Sequence, residues 1–295
     1  MFRNLKVKTE PPQHGPLPGS IPVQQLVGDA SLPVSVQTVN SLPENSKLRL
    51  YRTLIPVDLL AGAGINPRTW KDGEGVTRVA MDAAEGSGKL RLYAWAGEDP
   101  NDPFFELELS DNRFNGIDLN FLVLNDPAAE KFGIDKDENG ALTHFGTVYR
   151  NLGEEERAMK AGLAPGQTRR GAGSSSEVFA RLEAFLTTMA HQAYYLEPVS
   201  YVSAWVFERR GFAYVTGHKL MDTIHAEFKP GGTLYTALDG STPFRQEQQA
   251  GTVRGRAWAI HDGILAAIDQ RWDGLRMVKQ IGRPAGVNTA LDAPY

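Results

Sequence analysis

The chain has 295 residues and a formal net charge of −4, with a pI near 5.9, long enough for one large or two ordinary domains with a real core. The acidic balance argues against nucleic-acid binding through bulk positive charge. There is no cysteine, which excludes disulfides, thiolate metal sites and a cysteine nucleophile.

Residues 1–46 are rich in Pro, Gly, Ser, Gln and Val, as in Pro11-Pro12-Gln13-His14-Gly15-Pro16, and show no periodicity. They read as an extended N-terminal arm. The arm is either a mobile tail or a segment that packs along a second copy in a homo-oligomer. Residues 1–10 are basic and polar with no apolar run behind them, so no signal peptide is expected. No segment reaches the roughly 18 apolar residues of a membrane-spanning helix. These features lead to the expectation of a soluble, cytoplasmic protein without membrane or nucleic-acid partners.

From Lys47 the hydrophobic period becomes two. Leu48, Leu50 and Leu54 are interleaved with Arg49 and Arg52, and Leu90 and Leu92 flank Arg91. Phe105 to Leu109 and Ile117 to Phe121 alternate strictly. Alternation of this kind marks strands with one buried and one wet face, and residues 47–150 read as a largely antiparallel, β-rich region. The run Asp135-Lys136-Asp137-Glu138-Asn139-Gly140 resembles the start of a calcium loop. Its twelfth position is Gly146 rather than a bidentate Glu, so a hairpin turn into a strand at 141–149 is expected.

Residues 151–295 read as an α/β region, giving an α+β protein overall. A charged helix over 153–163 leads into a basic turn, Gly166-Gln167-Thr168-Arg169-Arg170-Gly171-Ala172-Gly173. Ser174 and Glu177 have capping-box spacing. Val178, Phe179, Leu182, Phe185, Leu186 and Met189 then form a helical stripe. A strand, Ala193–Leu196, and a helix over 200–210 closed by Gly211 follow. A Gly-rich turn before a helix presents free amides and the positive end of a dipole, and arginines add permanent donors. Phosphate or pyrophosphate fits such a turn. So does the plainer reading of a solvated loop.

This stretch resembles the central part of the GNAT superfamily of acyl-CoA N-acyltransferases. There an [RQ]-x-x-G-x-[GA] loop opens a helix and holds the CoA pyrophosphate, and a second helix ends in a pattern like L-Y-E-K-x-G-F. Here Thr168 to Gly173 is similar to the first motif and Val206 to Phe212 to the second, over about fifty residues. Thr168 replaces the family's Arg or Gln, and Phe207 stands where a tyrosine often serves as general acid. The resemblance implies acyl-CoA as co-substrate, a small-molecule amine as acceptor, and Gln167, Arg169, Arg170, Gly171, Gly173 and Ser174 as its binding set. The base would be His225, His261 or Glu208, and the acid is unassigned, with Tyr201 and Tyr214 near in sequence.

A helix over 218–228 carries His218, Asp222 and His225 on one flank at spacings that suit part of a metal site or a solvated polar edge. No metal is assigned. A strand over 233–238 and a helix over 254–272 follow. His261 sits on the apolar stripe of that last helix and Asp262 points away. The chain closes with a strand over 275–281. Two alternatives to the acyltransferase stay open: an enzyme of another class built on His218, Asp222, His225 and His261, with or without a metal, and a non-enzymatic β-rich assembly or binding protein.

Overall fold

The computed structural model describes residues 33–137, 141 and 150–295. All but the first residue of the expected strand at 141–149, and the second half of the calcium-loop-like turn before it, lie outside the described residues.

The expected arm is shorter than 46 residues. Val34, Val36 and Val39 are buried, and the helix α1 (Val36–Asn40) is capped twice at its start. Ser35 accepts from the Thr38 amide, and the Asp111 carboxylate accepts from the amides of Val36 (2.7 Å) and Gln37 (2.9 Å).

The strand expected from Lys47 is the helix α2 (Glu44–Tyr51), followed by a 3-10 turn at Arg52–Leu54. Its inward residues are Lys47, Leu50, Tyr51 and Leu54, at i, i+3, i+4 and i+7. The Lys47 ammonium is held inside by the Ala83 carbonyl (3.1 Å) and by Glu44 (2.9 Å). Tyr51 donates to Asn40 (2.6 Å). The helix α3 (Val57–Gly62) completes this N-terminal cluster.

Seven strands form one mixed sheet: β1 (Val79–Asp82), β2 (Lys89–Ala94), β3 (Phe105–Asp111), β4 (Ile117–Leu124), β5 (Ala193–Leu196), β6 (Ala213–Thr216) and β7 (Arg276–Gln280), in the order β1-β2-β3-β4-β5-β7-β6. The protein is α+β. Strands β1 to β4 are an antiparallel meander, β4 and β5 are parallel, and β7 is antiparallel to both β5 and β6. Because β4 pairs with β5, the division expected near residue 150 crosses a continuous sheet. One core cluster likewise runs from Val34 to Ala293.

The remaining helices are α4 (Leu152–Lys160), α5 (Ser175–Thr188), α6 (Tyr201–Arg209), α7 (His218–Glu227), α8 (Thr233–Thr236) and α9 (Val253–His261). The stripe expected for α5 is buried from Val178 to Met189. Its capping box does not form, since the Ser174 side chain makes no cap hydrogen bond. The box belongs to α6 instead, where Ser200 and Ser203 exchange bonds.

The strand expected over 233–238 is the one-turn α8. The last helix stops at His261, because Gly263 turns left-handed (φ 84°) and only a 3-10 turn, Ile264–Ile268, continues the stripe. Among the described residues no helix is long and apolar enough to cross a membrane.

Candidate functional site

The basic turn returns to the end of β4 although some forty-five residues intervene. The Asp126 amide donates to the Arg170 carbonyl (2.8 Å) and the Ala172 amide to the Leu124 carbonyl (3.0 Å), which sets Gly171 opposite Asn125. The start of α5 is thereby fixed at the carboxyl end of β4, and α5 crosses to the parallel neighbour β5. Open α/β sheets bind ligands at this kind of position.

Gly171 lies close against β4, since a side-chain carbon there would meet the Leu124 carbonyl at 3.4 Å. Gly173 has φ 73°, a conformation that costs little without a side chain. The amides of Gly173, Ser174, Ser175 and Ser176 donate to no acceptor among the described residues. The Ser174 hydroxyl oxygen is buried without a partner.

Arg210 reaches this helix start from the end of α6. Its guanidinium donates to the hydroxyls of Ser175 (2.6 Å) and Ser176 (2.5 Å). A cation beside the positive end of a helix is electrostatically unfavourable by itself. An anion bound between them would be attracted to both and offset that repulsion.

Arg170 is exposed and forms no ion pair with a described residue. Arg169, expected in the same role, is committed elsewhere: it donates to Asp102 (2.7 Å) and to the Ala129 carbonyl (2.7 Å), with Lys131 on the other oxygen of Asp102 (2.9 Å). These two cations hold the Asp102 carboxyl below its ordinary range, outweighing burial. Gln167 accepts from the Ala164 amide (2.8 Å) and builds the turn. Of the six residues expected to bind, Arg170, Gly171, Gly173 and Ser174 stand at the helix start, while Gln167 and Arg169 shape the loop before it. Arg210 lay inside the second motif and had no role assigned. A cation in the last turn of α6 is already accounted for by that helix's own dipole.

The sheet opens beside this turn. Strand β4 pairs with β5 only through Ile117, Asp118 and Leu119. Its register against β3 shifts between Glu108 and Leu109, which leaves Asn120 as the extra residue of a bulge. Bulges bend the strand that carries them. Beyond it, residues 121–123 pair with β3 alone. Their other edge offers backbone groups to a ligand that lies along it.

The three expected bases occupy three separate networks. Glu208, on α6, is buried and accepts from the Tyr214 hydroxyl (2.6 Å), the Thr289 hydroxyl (2.7 Å) and the Thr289 amide (3.0 Å). Burial and then this carboxylate push the Tyr214 phenol well up, so it stays a proton donor to Glu208.

His225 lies between Arg256 (3.0 Å, on Nδ1) and Asp292 (2.9 Å, on Nε2). A guanidinium only donates, so Nδ1 accepts and the ring proton sits on Nε2, facing Asp292. Burial, and then Arg256, lower its pKa.

His261 bonds Glu155 (3.1 Å). Asp262, expected to point away, is the hub of a part-buried network, accepting from Arg150 (3.0 Å), Arg245 (2.9 Å) and Thr242 (2.9 Å). His218 stacks on Tyr214 and lies 3.8 Å from Asp222, apart from the partners of His225. Among the described residues no three His, Asp or Glu side chains converge on a metal-sized position. Comparison with protein-family models, with curated proteins and with solved structures finds no match.

Proposed function

We propose that this chain is an acyl-CoA-dependent N-acyltransferase acting on a small-molecule amine, with the CoA pyrophosphate at the start of α5. The observation that carries the reading is Arg210 seated on Ser175 and Ser176, beside free amides at a positive helix end. That arrangement asks for an anion of more than one charge. The open edge of β4 next to it supports the same reading, because the arm that links the pyrophosphate of CoA to its thiol carries two amides able to pair with a strand edge. The amine attacks the thioester carbonyl and the CoA thiolate leaves.

Phe207 has no proton to give that thiolate; it packs against Phe179 and Phe212. Glu208 is saturated by its three donors and both ring nitrogens of His225 are engaged by Arg256 and Asp292, so the amine proton leaves to water.

The direct test is calorimetry with CoA and acetyl-CoA. Arg210→Gln is expected to weaken CoA by about tenfold to a hundredfold, as the loss of charge-assisted bonds to a phosphate implies. Added salt should weaken the parent more than this variant. Failure of either ligand to bind the parent at millimolar concentration refutes the proposal.

A further inference from the structure

A cleft of about 830 Å³ lies between α3 and the turn at residues 64–68, within the roughly 300–1,000 Å³ typical of small-molecule sites. Its floor is apolar: Ile55, Leu60 and Ile65 are each 2% exposed. The charged residues that line it are both arginines, Arg52 and Arg68, and neither forms an ion pair with a described residue. The Arg52 Nε is buried with no acceptor, and its guanidinium sits 5.0 Å over the ring of Trp70.

Trp70 adds two further anomalies. It is 7% exposed, and its indole N–H is also buried without an acceptor. Its φ is 61°, a left-handed conformation that bulky residues rarely adopt. It is held there by hydrogen bonds with Asn66 and Arg78 (both 2.8 Å). Buried donors without acceptors are costly, and strained backbone of this kind gathers at ligand clamps. The cleft therefore offers two guanidinium groups above an apolar floor, one of them resting over Trp70, and supplies no carboxylate of its own.

We propose that this cleft binds a small amphipathic carboxylate, with its oxygens on Arg52 and Arg68 and its apolar body on Ile55, Leu60 and Ile65. A small rotation of Arg52 presents Nε and one Nη together to the two oxygens, the bidentate geometry that guanidinium favours. The same rotation changes what lies over Trp70, so the indole reports occupancy. The site is separate from the start of α5 and stands independently of the acyl-CoA reading.

Octanoate and octanol serve as probes, followed by tryptophan fluorescence and by calorimetry on the full chain. Octanoate is expected to bind saturably and at least about tenfold more tightly than octanol. Arg52→Gln should bring octanoate down to the affinity of octanol, and Ala61→Trp, on the exposed side of α3, should fill the cleft and abolish binding of both. Trp70→Phe should remove most of the fluorescence response and leave calorimetric binding in place. Should Arg52→Gln fail to fold, Arg68→Gln on the exposed turn reads the same loss. Equal affinity for the two probes, no saturation, or octanoate binding untouched by Ala61→Trp overturns the proposal.

Discussion

Replacing Glu208 separates a carboxylate that moves protons from one that holds the fold. Three donors converge on it, and one of them, the Thr289 amide, is fixed by the backbone and buried. Glu208→Ala leaves that amide without an acceptor, which costs about 1–3 kcal/mol. The two hydroxyls lose a charged acceptor but are free to turn, and add about 1–2 kcal/mol together. Removing a buried carboxylate that has no cation bonded to it gives part of this back. The net expectation is a destabilisation of about 2–4 kcal/mol.

Glu208→Gln keeps one carbonyl oxygen for the Thr289 amide. It turns its NH₂ toward two hydroxyls that can accept as well as donate, so its cost should stay near 1 kcal/mol. Urea unfolding at pH 7 measures both values. An alanine variant within 0.5 kcal/mol of the parent (about the spread of neutral surface changes) refutes the structural role, and the carboxylate returns as a candidate base.

Stability should fall on acidification below about pH 6.5, the ordinary histidine value. Burial lowers the pKa of His191 and, with Arg256, that of His225. A histidine whose folded pKa is depressed binds its proton more readily when unfolded, so its contribution is present above that pH and is lost as pH falls. Denaturant titrations from pH 7.5 to 5 should show the decline, and His191→Gln combined with His225→Gln should flatten it. An unchanged slope in the double variant contradicts the assignment. Deletion through Asn40 removes Val34, Val36 and Val39, whose burial contributes on the order of 5 kcal/mol in total, a large share of an ordinary domain's stability. The shortened chain should lose its cooperative thermal transition; a sharp melt near that of the parent contradicts the packing of this segment.

What the sequence made legible was local. The bounds of β5 and α6 were read within a residue, because periodicity, Ser200 and Gly211 all act over one turn of chain. The helix α2 was misread because its pattern includes Lys47, whose charge reaches a carbonyl thirty-six residues away. Thr233-Leu234-Tyr235-Thr236 has strand propensity and forms a helical turn, as tertiary context often dictates.

The sites depend on contacts between distant residues. Arg210 meets Ser175 across thirty-five residues, Glu208 meets Thr289 across eighty-one, and His261 meets Glu155 across one hundred and six. Composition and spacing carry no trace of such partners. They can nominate a histidine or a glutamate but cannot say what already occupies it.

The short join between β4 and β5 also sets the entropic order of assembly. The turn from β3 to β4 closes over a handful of residues, whereas β5 must find β4 after a connection more than ten times longer. Loop closure of that length costs roughly 2 kcal/mol more than the tight turn, and only three residue pairs reward it. The meander can form from neighbours along the chain. The parallel seam gains little until α5 and its buried stripe have drawn the two strands together, so the helix at which the anion is proposed to bind also braces the continuity of the sheet.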